Sequence, residues 1–92
     1  MNYVERIIVA LIAENPNLNK DLAEFYALLV LIKGHETTQE DVHDAWSIWQ
    51  SRIRPDHRSI KWFGELSPAV QDLDQKYVDL IHKVALDSRL WS

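Results

Sequence analysis

A chain of 92 residues with 47% hydrophobic and 26% charged residues, a formal net charge of −4 and no cysteine is the size of one small domain with a single core. It excludes a disulfide framework and any thiolate metal site, and its two glycines and three prolines leave little room for a many-stranded sheet. The longest apolar run, Ala27 to Ile32, falls far short of the ~20 residues that cross a bilayer, and the first residues lack the pattern of a secretory signal. One all-α domain over residues 1–92 is expected, soluble and cytoplasmic, with no membrane partner.

In chain order, Val4, Ile7, Ile8, Leu11 and Ile12 recur three or four apart and predict an apolar stripe on a first helix over residues 3–14. Pro16 breaks it, since it lacks an amide hydrogen and biases Asn15 away from helical angles. A second helix is predicted over residues 19–33, capped by Asn19 or Asn17 and ended by Gly34. Its last turns are apolar on every side, which predicts a central helix surrounded by the others.

Thr38 with Asp41 three residues later predicts a relaxed capping box opening a third helix. Val42, Ala45, Trp46, Trp49 and Ile53 fall on its apolar face, and Pro55 closes it. Residues 54–66 have no clear period and read as an ordered loop with at most one helical turn. Ser67 and Pro68 predict an N-cap and first helical position, followed by a last helix to about Leu86 or Leu90 with Val70, Leu73, Tyr77, Leu80, Ile81 and Val84 buried. The fold class is thus a compact domain of about four helices. Leu28, Leu29, Ile32, Val42, Trp46, Trp49, Leu73, Tyr77 and Ile81 are expected at its centre.

Charge is uneven along the chain. Residues 35–50 carry four acidic and no basic residues, whereas residues 51–64 carry four basic and one acidic. One small basic loop on an acidic chain makes nucleic acid an unlikely partner, because duplex affinity comes largely from neutralising many phosphates. A helix-turn-helix would also open its recognition helix with "TTQEDVHD", setting carboxylates against phosphates.

Few residues carry chemistry. His43 lies near Glu40, Asp41 and Asp44, yet no second histidine stands four residues away as metal binding on one helical face requires. His57 within "PDHRS" is compatible with ordinary turn chemistry. An enzyme using either imidazole would need a polar pocket with two or more convergent titratable groups. Trp46 and Trp49 are expected in the core. Trp62 and Phe63 are adjacent and cannot both face inward, so one should pack while the other stands at a rim. Trp91 either docks on the core or is offered to another chain.

The runs "DVHDAW" (Asp41 to Trp46), "PDHRSIKWFGELSPAVQDLD" (Pro55 to Asp74) and "YVDLIHKVA" (Tyr77 to Ala85) resemble small helical proteins of actinobacteria and their phages, a group with no assigned activity. A second resemblance, through His43, Trp46, His57, Ile60, Phe63 and Leu66, is to the ryanodine-receptor repeat (RyR) domain. It implies a helical interaction module, in some members with a nucleotide-sized pocket. A phage origin would place the protein in the host-cell cytoplasm.

The leading expectation is a non-catalytic binding module acting through protein contact or self-association. Its surface would be Arg52, Arg54, His57, Arg58, Lys61 and Trp62, with His43 and Trp46 beside it, and no cofactor or metal. The alternative is capture of a small anionic ligand such as a nucleotide. Arg54, His57, Arg58 and Lys61 would then meet phosphate while Trp62 or Trp46 stacks on the base.

Overall fold

A computed structural model describes residues 1–91. The architecture is all-α: α1 (Tyr3–Glu14), α2 (Lys20–Ile32), α3 (Gln39–Ser51), a one-turn α4 (Pro68–Asp72) and α5 (Gln75–Ala85), with 3₁₀ turns at Gly34–Glu36, Phe63–Glu65 and Ser88–Leu90.

Local chemistry sets the helix ends. Asn2 caps α1 by accepting from the Glu5 amide, and Asn19 caps α2 by accepting from Asp21 and Leu22. At α3 the box is complete: Thr38 Oγ1 accepts from the Asp41 amide at 3.2 Å while the Asp41 carboxylate accepts from the Thr38 amide at 2.9 Å. Each box satisfies donors that a helix start would otherwise leave unpaired. Ser67 caps α4 with Pro68 in its first turn. Gly34 has φ +56°, the left-handed conformation that turns the chain out of α2.

Helix α2 packs against α1, α3 and α5, and α1 also meets α5. Ile7, Leu11, Tyr26, Val42 and Ile81 are the largest fully buried side chains. A Lys83–Glu14 ion pair at 2.8 Å ties α5 to α1, though exposed pairs of this kind contribute only ~0–1 kcal/mol. Among the described residues, no helix is long and apolar enough to cross a membrane.

Three residues expected at the centre lie outside it: Leu28, Ile32 and Leu73 are 52%, 67% and 67% exposed. For α2 the cause is that its neighbours occupy only part of its circumference, so its outer side stays open although it is apolar. For Leu73 the cause is a break in the last helix. Its amide and that of Asp74 bond three residues back, to Val70 and Gln71. That tightening changes the angular phase between α4 and α5 and leaves Leu73 off the stripe that Val78, Ile81 and Val84 bury. Ile53 lies beyond the end of α3 and is also exposed. Trp46, Trp49 and Tyr77 are half-buried at the edge of the core.

Candidate functional site

Trp46 organises a cleft of about 520 Å³ between α3, the loop after it, the α4–α5 junction and the start of α2. Its indole stacks on His43 at 5.8 Å and meets His57 edge-on at 5.1 Å. Trp49, Tyr77, Leu18 and Leu22 complete the apolar wall, while Asp74 and Lys76 supply charge.

The imidazoles hold the loop in place. His43, only 3% exposed, lies with Nε2 2.7 Å from the Lys61 carbonyl. A carbonyl only accepts, so Nε2 carries the hydrogen and, in the neutral ring, Nδ1 is an acceptor. His57 holds the same tautomer through its other nitrogen: its Nδ1 accepts from the Ser59 amide at 3.1 Å, which leaves the proton of the neutral ring on Nε2. Phe63 packs 6.1 Å from His43, and its carbonyl accepts from the Gln71 side chain at 2.9 Å. These bonds give residues 57–63 fixed backbone positions without a helix or strand.

Asp74 occupies the N-cap position of α5, yet its backbone is helical and its side chain makes no capping bond. Continuity with α4 keeps the carboxylate from reaching back to the amides it would ordinarily serve. Burial pushes its carboxyl above the usual range, with His43 pulling the other way. Beneath it, burial first, and then Tyr77 and Asp74, drive the Tyr26 phenol far upward. The Tyr26 hydroxyl is buried and has no hydrogen-bond partner.

The eight residues singled out from sequence separate in space. His43, Trp46 and His57 come together in the cleft. Lys61 and Trp62 instead line a shallower groove with Asp44, Ile48, Ile60 and Glu65. Arg52 lies over the Phe25 ring at 5.0 Å, Arg54 pairs with Asp56 at 3.7 Å, and neither they nor the exposed Arg58 line either hollow. Of the adjacent aromatics, Phe63 is half-buried and Trp62 is 79% exposed. Trp91 docks on its own chain, donating through Nε1–H to the Ala85 carbonyl at 2.9 Å.

Sequence reasoning missed Asp74 and Lys76 as cleft residues and took Tyr77 only as core. The signal was the Asp74–Tyr77 spacing of three, which sets both on one helical side. Among the described residues, no three His, Cys, Asp or Glu side chains converge as a metal-ligand set.

No curated protein and no solved structure matches the chain. A family model does match, over residues 2–86, and so covers every helix and both hollows: the chain belongs to DUF7701, a domain of unknown function.

Proposed function

We propose that this chain is a non-catalytic interaction module that works by protein contact, with a second copy of itself as the partner its surface fits. The observation that supports this most directly is the uncovered apolar edge of the α2–α3 hairpin. Arg52 over Phe25 and the Lys33–Asp41 pair at 3.2 Å set α2 and α3 antiparallel. Between those contacts lie Leu28 and Ile32 on α2 and Ile48 on α3, each at least half exposed, and Trp62 shares a groove with Ile48. An apolar edge of this kind on a small protein marks a contact surface.

Charge selects the partner. Helix α3 and the turn before it are acidic at one end, with Glu36, Glu40 and Asp41, and basic at the other, with Arg52 and Arg54. A two-fold antiparallel pairing sets the acidic end of one copy against the basic end of the other. The resemblance to the RyR module, which implies a helical interaction domain, supports a role of the same kind.

The imidazole geometry supports a role without catalysis. Ser47 Oγ stands 3.4 Å from His43 Nε2, but that nitrogen already donates to Lys61 and cannot take the serine proton. A concentration series by light scattering tests the proposal. A dimer that grows with concentration and disappears in Ile32→Glu and Ile48→Glu is expected. A strict monomer at every concentration, or a dimer indifferent to both substitutions, overturns it.

A further inference from the structure

The cleft around Trp46 faces away from this contact edge and offers a different chemistry. Its volume of about 520 Å³ lies within the ~300–1,000 Å³ of small-molecule sites. Aromatic and aliphatic surface makes up most of its walls, and Asn17, Asn19, Ser59 and Lys76 join Asp74 and the two imidazoles in lining it. The half-buried Asp74 carboxylate accepts no hydrogen bond from any described residue. An ionised carboxylate has about four acceptor sites, so this one is open to a donor from outside the chain. The His43 Nδ1 is a second acceptor without a protein donor, and the Tyr26 hydroxyl is a buried, unpartnered group beside Asp74 and Tyr77. The donors in the lining, the Nε2–H of His57, the Ser59 hydroxyl, the Asn17 and Asn19 amides and the Lys76 ammonium, make no hydrogen bond to the Asp74 carboxylate.

We propose that this cleft is a binding site for a planar organic cation of the amidine or protonated amino-heterocycle class. Its N–H groups meet the Asp74 carboxylate and its ring lies against Trp46. An amidinium matches a carboxylate with two parallel donors, and aromatic faces attract a flat cation. The site already shows this preference: the Lys76 ammonium sits over the Tyr77 ring at 4.9 Å, where an incoming cation would replace it. Anionic ligands fit less well. Arg54, Arg58 and Lys61 lie outside the lining, and an anion would have to meet Lys76, already over the Tyr77 ring, while lying against the Asp74 carboxylate.

Benzamidine, with benzoate as a flat anion of like size, tests the site by ¹H–¹⁵N NMR titration of the whole chain. Benzamidine is expected to shift the Trp46 indole resonance and to leave the Trp62 indole unmoved; benzoate should shift neither. Asp74→Asn should weaken benzamidine by about tenfold or more, the loss expected for one charge-assisted hydrogen bond. Lys76→Ala, at an exposed position, should strengthen benzamidine, and it decides the matter if Asp74→Asn does not fold. Equal binding of benzoate, unchanged affinity in Asp74→Asn, weaker benzamidine binding in Lys76→Ala, or no shift with either compound overturns the proposal. None of these readouts depends on the oligomeric state, so failure here leaves the protein-contact reading standing.

Discussion

Helix α3 turns two different sides to its surroundings. On one, His43 and Trp46 line a cleft that also holds the half-buried Asp74, with the loop of residues 57–63 bonded across it. On the other, Asp41, Ala45, Ile48 and Arg52 run beside α2, and beyond them the hairpin edge is apolar and uncovered. The difference lies in what is left unsatisfied. In the cleft it is hydrogen-bonding capacity, which a small molecule with matching donors can fill; on the edge it is apolar area, which a protein surface covers better. On the readings proposed above, one helix of 13 residues would serve two kinds of recognition, because its sides differ in how much of each the fold leaves open.

The two sides should respond separately to mutation, except where the change reaches the shared core. Ile81→Ala removes a fully buried side chain and is expected to destabilise the fold by about 2–5 kcal/mol, read in a denaturant melt. His43→Ala acts first on the cleft. It strands the Lys61 carbonyl and removes the ring between Trp46 and Phe63. A loss of about 1–3 kcal/mol should appear together with faster amide exchange in residues 57–63. Exchange unchanged in that loop would break the claim that the imidazole holds it.

Thr38→Ala removes the hydroxyl half of the box that starts α3 and should lower stability by about 1 kcal/mol, affecting both sides equally. Trp62→Ala should change stability by no more than about 0.5 kcal/mol but weaken self-association. A large loss of stability there would mean that the indole packs against its own chain.

Acid should also distinguish the two sides. The Asp74 carboxyl in the cleft is raised by burial, so the folded state holds that proton more tightly than the unfolded state. Its contribution is favourable at low pH and is lost as pH rises through the folded value. Asp41 beside α2 has the opposite sign. Burial raises it, but hydrogen bonds from Thr38 and Lys33 outweigh that and bring it below the usual range. Its contribution is present at neutral pH and is lost as pH falls through the lowered value. Asp74→Asn should therefore stabilise at neutral pH and lose that gain in acid, whereas Asp41→Asn should destabilise at neutral pH and converge on the parent in acid. Melts across the acid range check both.

What could be read from sequence was whatever depends on near neighbours in the chain. Asn19, the Thr38–Asp41 box, Ser67–Pro68 and Gly34 all act within a few residues, and each stands where its chemistry predicts. The pairing of His43 with Trp46 is also local, being three apart on one helix. Exposure of Leu28 and Ile32 was not legible, because an apolar residue carries no sign of whether a neighbour covers it. The opposition of Trp62 and Phe63 could be foreseen, but which ring turns inward depended on His43 and on the Gln71 bond to the Phe63 carbonyl. Asp74 was hidden for a related reason: in sequence it looks like one more polar residue on a helix, and only the break beside it releases its carboxylate into the cleft.

The four indoles occupy three settings: two in the cleft wall, one bare on the hairpin edge and one bonded to the last turn of α5. The protein thus contains its own spectroscopic reporters. Acrylamide should quench Trp62 first, a dimer should shield it, and a cleft ligand should alter the emission of Trp46 and Trp49 instead, so one unlabelled sample can record occupancy of either surface.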